Sequence, residues 1–499
     1  MKIFETLNIR EADKITIANQ GITAFELIER AATEVFLWLK KHYADKETTF
    51  HVFSGRGNNG ADGLVVARML HKDGYPVRVD IVNEAGSSTP EFEMAFEHLQ
   101  ASGMEYNKSP EYFYEHGKLV YIDALFGTGV NRDLPPEVLQ IVERINKCDG
   151  KVISIDVPSG VFMDKPTKIA VKSDYVLTFQ FSKLAFYLPG NKSFIKKIQV
   201  LDIGLDKNYI ANTRSDYHLV TKKAIGLRYR PVHHHAHKGT QGHALIIGGS
   251  YGKMGAVCLS AKAALKSGCG LVTAYIPKCG YDIIQVSFPE AMALTDGKKH
   301  ITNISFELEP KAIGIGPGMG QHEATQKALY DFLKLNTAPL VIDADALNIL
   351  SYNKEWLNML PEHTILTPHP KELERLLGKW EDDFDKLGKM KAFANHYKLV
   401  LVAKDAHTMI VSGNDVYINH TGNEALATGG TGDVLTGIIT GLVAQGYAPA
   451  NAAIVGVYLH GLTAEIAINE TSVQAFTASD VVKYLGRAYL KIEADCHQK

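Results

Sequence analysis

The sequence has few cysteines and no long apolar run, the features that mark disulfide-rich secreted proteins, cysteine-ligated metal sites and membrane-spanning proteins. Its 499 residues include only five cysteines, an odd number at spacings unlike those of a metal site. This usage excludes a disulfide scaffold and fits a reducing compartment. No stretch approaches the roughly 20 consecutive apolar residues that a membrane-spanning helix needs. We therefore expect no contact with a membrane.

An excess of one charge sign is also missing. The 53 basic and 55 acidic side chains leave a formal net charge of -2, which predicts no affinity for nucleic acid or for an anionic membrane surface. Residues 1–5 run directly into mixed charge without the apolar segment of a signal peptide, so a cytoplasmic location is expected by default. The length suits about three domains or, equally well, two large α/β domains.

The most distinctive segment, residues 422–437, lacks the two best-known phosphate-binding patterns. It has neither the Gly-Lys-Ser/Thr ending of a P-loop nor the G-x-G-x-x-G spacing of a dinucleotide fold. It does place the string Thr-Gly-Gly-Thr-Gly at residues 428–432, before Asp433 and an apolar run of helical character. Such glycines let backbone N–H groups point toward one anion, and the helix that begins there adds its dipole.

Asp433 has two interpretations at this position. A first-turn aspartate commonly caps its helix. A carboxylate beside an anion site can instead act as a general base toward a hydroxyl group held next to a phosphate. Position alone does not separate the two.

The first half of the chain alternates short apolar runs with helical patterns. This alternation predicts a parallel sheet with right-handed crossovers. A long amphipathic helix is predicted at residues 23–41, before the sheet. The predicted strands are 48–54, 76–82, 118–123, 151–156 and 174–179, and the predicted helices between them include 63–71 and 135–147.

The alternation of predicted strands and helices stops between about residues 204 and 238, where the sequence becomes polar. This segment is the best candidate domain boundary. This segment ends with four histidines within residues 233–237. They are interpreted as part of a solvated linker or the rim of a site. A metal site is the alternative, although no partner cluster at ligand spacing is found elsewhere.

The second half is predicted to be another doubly wound sheet, with its ligand crevice at the carboxyl ends of the strands. Helices are predicted at residues 256–266 and from about residue 432. The predicted strands are 244–247, 271–276, 312–315, 340–342, 364–366 and 399–402.

Three motifs in the first half follow predicted strands, at residues 55–63, 123–132 and 156–160. They would bring the side chains of Asn59, Asp123, Asp156 and Ser159 to one crevice. Oxygen ligands of this kind suit a monovalent or Group II cation better than zinc. The plainer alternative is that the two carboxylates only accept hydrogen bonds from loop amides.

These motifs resemble the three signatures of the NAD(P)H-hydrate epimerase family, over about residues 1–205. The resemblance implies a Rossmann-like domain that interconverts the R and S forms of the hydrated cofactor and binds K⁺. Asn59, Asp123 and Ser159 would be the K⁺ ligands, and Asp156 would transfer the proton. The hydrated cofactor would contact Asn58, Asn59, Gly60, Ala61, Asp62, Gly127, Thr128, Gly129, Val130, Asn131, Arg132, Asp133 and Asp156.

Ala61 departs from the family pattern, which usually has a second glycine there. If the position required a positive φ, alanine would cost about 1 kcal/mol. If the ligand had to approach the backbone closely, the methyl group would obstruct it.

Glycine-rich and polar motifs also follow the strands of the second half, including residues 248–256, 314–320, 343–348, 367–372 and 404–408. Together with residues 422–437 they closely resemble the ADP- or ATP-dependent NAD(P)H-hydrate dehydratases, whose fold is ribokinase-like, over about residues 225–499. The resemblance implies that the hydrated cofactor lies against Ala256, Gly318, His369 and Asp433. The adenine nucleotide would be held by Lys404, Asp405, Ala406, His407, Thr408 and Gly432. A strand-end histidine satisfied by backbone groups is the plainer interpretation of His369.

The two resemblances predict a bifunctional repair enzyme with an epimerase-like domain at residues 1–220 and a dehydratase domain at residues 225–499. Its substrates would be the hydrates NADHX and NADPHX together with ADP or ATP, with Mg²⁺ at the second site. A homo-oligomer is expected. The alternatives are a small-molecule kinase of the ribokinase-like fold and a non-catalytic binding module in the N-terminal half.

Overall fold

The computed structural model describes residues 1–82, 87–107 and 118–497, with side chains described up to residue 495. The chain forms two compact units. The first comprises residues 2–215 with residues 382–384, and the second comprises Met1 with residues 216–381 and 385–499. No helix in the described ranges is long and apolar enough to cross a bilayer.

Strands and helices alternate along most of the described chain. The strands are β1 (Lys2–Ile3), β2 (Thr49–Ser54), β3 (Val77–Ile81), β4 (Tyr106–Asn107), β5 (Leu119–Ala124), β6 (Lys151–Ile155), β7 (Tyr175–Phe179), β8 (Ile198–Leu201), β9 (Tyr217–Leu219), β10 (His243–Ile247), β11 (Leu271–Ile276), β12 (Met292–Thr295), β13 (Ala312–Ile315), β14 (Leu340–Ile342), β15 (Ile365–Leu366), β16 (Val400–Ala403), β17 (Met409–Ser412) and β18 (Asp415–Ile418). The helices are α1 (Thr6–Gln20), α2 (Ala24–His42), α3 (Asn58–Lys72), α4 (Pro90–Ala101), α5 (Pro136–Ile145), α6 (Lys207–Asn212), α7 (Lys222–Gly226), α8 (Met254–Lys266), α9 (Tyr281–Ser287), α10 (Glu323–Leu335), α11 (Ala344–Tyr352), α12 (Pro370–Leu377), α13 (Asp383–His396), α14 (Thr431–Ala444), α15 (Pro449–Ala467) and α16 (Ala478–His497).

The sheet of the first unit has the order β4-β3-β2-β5-β6-β7-β8, and every neighbouring pair is parallel. The order turns back at β2 and β5, which places the carboxyl ends of β2, β5 and β6 side by side. An open parallel sheet binds its ligand at such a point. The predicted α/β fold of this half is confirmed.

The sheet of the second unit runs β9-β18-β17-β16-β15-β14-β13-β10-β11-β12. The part from β16 to β12 is parallel, as predicted. Strands β16, β17 and β18 pair antiparallel, which departs from the predicted doubly wound pattern. The turn at Gly413, where φ is +60°, closes the β17–β18 hairpin.

Residues 204–238 contain more regular structure than the sequence predicted. The short elements α6, β9 and α7 occupy parts of this segment. Elements of three to six residues are too short to show a hydrophobic period. The histidines at 233–235 are exposed, and no group of three or more potential metal ligands occurs among the described residues.

Helices α8 and α14 pack closely because glycines of α14 face the backbone of α8. A Cβ on Gly437 would lie 2.1 Å from the carbonyl oxygen of Ser260, and one on Gly441 would lie 2.5 Å from that of Ala264. The hydroxyl group of Ser260 donates to the carbonyl oxygen of Asp433 at 2.7 Å. This contact fixes the first turn of α14 against α8.

We expect Gly437→Ala to destabilise the second unit by about 1–3 kcal/mol, because the new methyl group collides with backbone that cannot rotate away. Thermal unfolding monitored by circular dichroism should show a melting temperature lowered by several degrees. Gly486→Ala is the matched control, since Gly486 is an exposed residue of α16 with nothing within 4 Å of its would-be Cβ. That control should be neutral or stabilising. Equal melting temperatures for the two variants would contradict the packing argument.

Candidate active sites

The first unit contains a cavity of about 700 Å³ at the carboxyl ends of β2, β5 and β6. Its walls come from α1, the start of α3, the loop after β5 and the residue after β6. All seven residues of the predicted loop line it: Gly127, Thr128, Gly129, Val130, Asn131, Arg132 and Asp133. Asn58, Asn59, Asp62 and Asp156 line it as well, whereas Gly60 and Ala61 are not among its lining residues.

The glycine-rich motif after β2 is largely helical and forms the start of α3, which begins at Asn58. A Cβ on Gly60 would lie 1.9 Å from the carbonyl oxygen of Gly55, and one on Gly63 would lie 2.5 Å from Cβ of Ala124. These glycines therefore allow α3 to pack against the loop and strand beneath it. The prediction that this helix begins at residue 63 was five residues late.

Ala61 causes neither of the problems that its departure from the pattern raised. It lies within α3, outside the residues with positive φ, and its side chain is fully buried in the hydrophobic core. The alanine faces the core and leaves the cavity unobstructed.

Asp156 has a strained backbone conformation, and its side chain is held by a buried cation. Its φ is +62°, a left-handed conformation that costs a non-glycine residue about 1–3 kcal/mol. Its Oδ1 accepts hydrogen bonds from Lys183 Nζ, from Thr178 Oγ1 at 3.0 Å and from the Phe179 amide at 3.2 Å. Lys183 also lines the cavity, and its side chain is only 3% exposed. The sequence predictions did not include Lys183.

Two further carboxylates share this cavity, Asp13 on α1 and Asp62 on α3. Burial raises the pKa of Asp13 to about 6, helped by Asp156 and opposed by Lys183. Burial raises the pKa of Asp62 well above its usual range, with Asp156 and Asp13 adding to the effect. The sequence predictions also missed Asp13, because a single acid on an amphipathic helix has no distinctive pattern.

Asp123 and Ser159, the other predicted cation ligands, form a buried hydrogen-bonded pair. Asp123 accepts from the Ser159 amide at 2.9 Å and from the Ser154 hydroxyl group at 2.7 Å. Burial raises the pKa of Asp123 despite these bonds. Both amide atoms of the Asn59 side chain are buried without a hydrogen-bond partner in the described structure. A buried amide oxygen without a protein partner fits a hard cation such as K⁺.

In the second unit, Asp433 lies in the first turn of α14, which begins after Gly430. The described residues provide no side-chain hydrogen bond that caps this helix, so the capping interpretation of Asp433 loses its support. Burial raises the pKa of Asp433 to about 7, with further increases from Asp343 and Asp345 and a decrease from Lys404.

Lys404 and Asp343 form the charged centre of this site. Lys404 follows β16, Asp343 follows β14, and their side chains meet at 2.8 Å. The second oxygen of Asp343 accepts from the Thr436 hydroxyl group at 2.6 Å. A Cβ on Gly432 would lie 3.3 Å from Lys404 Nζ, so the predicted Gly432 leaves the space beside the ammonium group open.

His369 both caps a helix and faces this centre. Its Nδ1 accepts from the Lys371 amide at 3.1 Å at the start of α12, so Nε2 carries the proton in the neutral ring. Burial, followed by Lys404, lowers the pKa of His369. Burial raises the pKa of Glu372 to about 7, with an increase from Asp343. Both predicted interpretations of His369 are therefore compatible with its position.

The remaining predicted residues lie in the first turn of α8, in the loop after β13 and in the turn after β16. Gly318 has a φ of +62°, and a Cβ there would lie 3.0 Å from Cβ of Ala256, so these two predicted pocket residues adjoin. Asp345 accepts a hydrogen bond from the Gly320 amide in the same loop as Gly318, at 2.9 Å. The charge of Asp345 also raises the pKa of Asp433. The turn from β16 to β17 contains Asp405, Ala406, His407 and Thr408, and it is closed by the Thr408 hydroxyl group donating to the Asp405 carbonyl oxygen at 3.2 Å.

Comparison with known proteins covers both units. A family model for NAD(P)H-hydrate dehydratase matches residues 244–487, and one for the YjeF-related protein N-terminus matches residues 24–185. A bifunctional NAD(P)H-hydrate repair enzyme of Moorella thermoacetica is 31% identical over 99% of this chain and 98% of its own length. The chain belongs to this family. The corresponding enzyme of Coxiella burnetii is 31% identical over 97% of this chain and 98% of its own.

A solved structure resembles the second unit. It is the ADP/ATP-dependent NAD(P)H-hydrate dehydratase of Bacillus subtilis, co-crystallized with ATP and Mg²⁺, with 33% identity, a TM-score of 0.49, and coverage of 55% of this chain and 98% of its own. The full-length relatives are named for both activities, which disfavours a kinase with a non-catalytic N-terminal module.

The pKa of Asp433 predicts that this carboxylate lowers stability. Burial raises its pKa to about 7 in the folded protein, above the value of about 3.9 for an aspartate in an unfolded chain, so ionisation costs more in the folded state and stability falls as the pH rises through that range. We expect Asp433→Asn to raise the free energy of unfolding at about pH 8 by on the order of 1–4 kcal/mol, and to change it little at about pH 4. Calorimetry at both pH values measures this.

Asp282→Asn is the control, because Asp282 is exposed. It should have no effect at either pH. A melting temperature at pH 8 that is unchanged by Asp433→Asn would show that the carboxylate carries no such penalty.

Proposed function

We propose that this chain restores hydrated NAD(P)H in two steps, one at each site. The first unit interconverts the R and S hydrates, and the second dehydrates the S form to NAD(P)H at the expense of ADP or ATP. The observation that carries the proposal is the position of Asp433, beside Lys404 and the glycine-rich start of α14. Its carboxyl group is half-buried, does not cap the helix, and has a pKa of about 7. The full-length family relationship supports pairing it with the first site.

The dehydration is explained by the chemistry of the leaving group. Hydration leaves a hydroxyl group on the reduced nicotinamide ring, and hydroxide leaves poorly. Asp433 accepts the proton of that hydroxyl group as its oxygen attacks the terminal phosphorus of the nucleotide. The ring nitrogen lone pair then expels phosphate, and loss of a proton from the neighbouring ring carbon restores the conjugated ring.

The residues around Asp433 suit the phosphate side of this transfer. The backbone amides at the start of α14 and the Lys404 ammonium group provide positive charge where phosphate oxygens would lie. Mg²⁺ would be held chiefly by the nucleotide phosphates and water, beside the carboxylates of Asp343 and Glu372. Asp343 raises the pKa of both Glu372 and Asp433; this repulsion fits a cation there, and bound Mg²⁺ would neutralise charge on the transferred group.

At the first site, Asp156 is the proton-transfer residue, and its ion pair with Lys183 orients it. The loop at residues 127–133 and the start of α3 hold the dinucleotide. K⁺ would be held by the oxygens of Asn59, Asp123 and Ser159, where it would offset the buried charge of Asp123. A cytoplasmic location and a homo-oligomeric state stay predictions.

We expect Asp433→Asn to lower kcat of dehydration by on the order of 10² or more while KM changes little, because the base is lost and the binding groups remain. Recovery of the absorbance of reduced nicotinamide from purified S-hydrate, with ADP and with ATP, measures the rate. In the wild type, kcat/KM should fall below about pH 7, where Asp433 is protonated. Full turnover by the variant would remove Asp433 from the mechanism, and Asp282→Asn should behave as wild type.

We expect Asp156→Asn to lower kcat of epimerisation by on the order of 10² or more, since the amide cannot accept a proton. Separating the R and S hydrates chromatographically, without adenine nucleotide, isolates this step. Asp164→Asn is the control, because Asp164 is exposed and does not line the cavity. Dehydration of the S-hydrate by the same preparation reports whether the chain is folded. Unchanged epimerisation would favour a binding role for the first unit.

A further inference from the structure

The epimerase cavity contains a carboxylate that lies outside the matched family region. Asp13 is on α1, and the N-terminal family match begins at residue 24. Its side chain nevertheless lines the same cavity as Asp156, Asp62 and Lys183. No hydrogen bond to the Asp13 carboxyl group is found within the part of the chain that the structure describes. A partly buried, unpaired carboxyl group in a substrate cavity calls for a chemical role.

The proposed reaction requires two proton-transfer groups. The R and S hydrates differ in the face of the ring that carries the hydroxyl group. Inverting that carbon by elimination and readdition means that water leaves from one face and returns on the other. One group must therefore donate a proton to the departing oxygen, and another must accept a proton from the entering water. Groups on different walls of the cavity meet this need.

The surroundings of Asp13 and Asp156 divide these two roles. Asp156 follows β6, and its side chain is ion-paired with the buried Lys183. Asp13 comes from α1 and carries no such partner. The charged groups that act on it are Asp156, which raises its pKa to about 6 together with burial, and Lys183, which opposes them. Arg10 also lines the cavity but is exposed at its rim.

Asp62 is less suited to the acid role. It is only 6% exposed, so it has little access to solvent from which to regain a proton, and burial raises its pKa well above the usual range. A catalytic acid works best with a pKa close to the operating pH. Asp13 is also partly exposed, so it can regain its proton from solvent.

We propose that Asp13 is a catalytic residue of the epimerase site, acting as the acid toward the hydroxyl group while Asp156 acts as the base toward the entering water. The inference rests on the proposed epimerase function. Asp13 gives its proton to the hydroxyl oxygen, the carbon–oxygen bond breaks, and water leaves as the ring nitrogen lone pair forms a carbon–nitrogen double bond. Water adds to the opposite face, the double-bond electrons return to nitrogen, and Asp156 takes the released proton.

One turnover thus moves a proton from Asp13 to Asp156. Exchange with solvent restores the starting state, and the reverse reaction uses the same two groups in exchanged roles. No oxidant or reductant takes part. Each inversion replaces the hydroxyl oxygen with one from water.

The test uses the full-length enzyme with purified R-hydrate in H₂¹⁸O and no adenine nucleotide. In the wild type, mass spectrometry should find one solvent oxygen in each S-hydrate formed, above the spontaneous background. Asp13→Asn should lower kcat of epimerisation and the enzymatic ¹⁸O incorporation together by on the order of 10², with KM changed by less than about threefold. Glu11→Gln, an exposed position on the same helix, should match the wild type.

The pH profile separates a catalytic role from a structural one. Wild-type kcat/KM from R-hydrate should decline above about pH 6 as Asp13 loses its proton, and Asp13→Asn should lack this decline. Asp13→Glu should recover part of the rate. Dehydration of S-hydrate after nucleotide is added should be unchanged in every variant, as evidence of folding.

Different results would refute the epimerase function of the first unit and the catalytic role of Asp13. A wild-type enzyme that fails to epimerise R-hydrate refutes the proposed function of the first unit. An active wild type with a fully active Asp13→Asn variant refutes the role of Asp13 alone. Epimerisation without ¹⁸O incorporation refutes the elimination step and with it the acid role.

Discussion

A lysine paired with an aspartate at the carboxyl edge of a sheet is the interaction on which both sites depend. Lys183 holds Asp156 in the first unit, and Lys404 holds Asp343 in the second. Each pair stands beside further carboxyl groups whose pKa is raised by burial. The lysine opposes that rise for Asp13 at the first site and for Asp433 at the second. Carboxyl groups in environments that differ in this way can take acid and base roles at neutral pH.

The two sites apply this arrangement to different chemistry. At the first, the pKa of neighbouring carboxyl groups rises while the ion-paired Asp156 stays available as a base. At the second, Asp433 is left near its midpoint at neutral pH, beside backbone amides that attract phosphate. Backbone strain marks the same positions: Asp156 and Ala344, the residue after Asp343, both have positive φ. Both conformations occur where a strand ends at the carboxyl edge of its sheet.

The parts of this structure that the sequence predicted are those with a local signal. Buried parallel strands appear as short apolar runs, and the motifs after them mark the sheet edge, so the α/β class and the location of both sites could be predicted. The residues of the β16–β17 turn and of the 127–133 loop belong to such motifs. The start of α3 was misplaced because glycine was interpreted as a loop residue, whereas Gly60 and Gly63 allow close packing of a helix.

Other features depend on tertiary contacts that no sequence window contains. Lys183 sits in an otherwise apolar segment and Asp13 on an ordinary amphipathic helix, and only the folded chain brings them to Asp156. The antiparallel β17–β18 hairpin did have a signal, the Gly-Asn turn at residues 413–414, which the predicted parallel pattern overlooked.

The packing of α14 on α8 has a mechanical consequence. Ala256 lies in the first turn of α8 and Asp433 in the first turn of α14, and the glycines of α14 let the two helices approach to backbone contact. The hydrogen bond from the Ser260 hydroxyl group to the Asp433 carbonyl oxygen joins the helices near the same end. The separation between the pocket wall and the base is therefore set by the packing of two helices rather than by the loops that follow the strands.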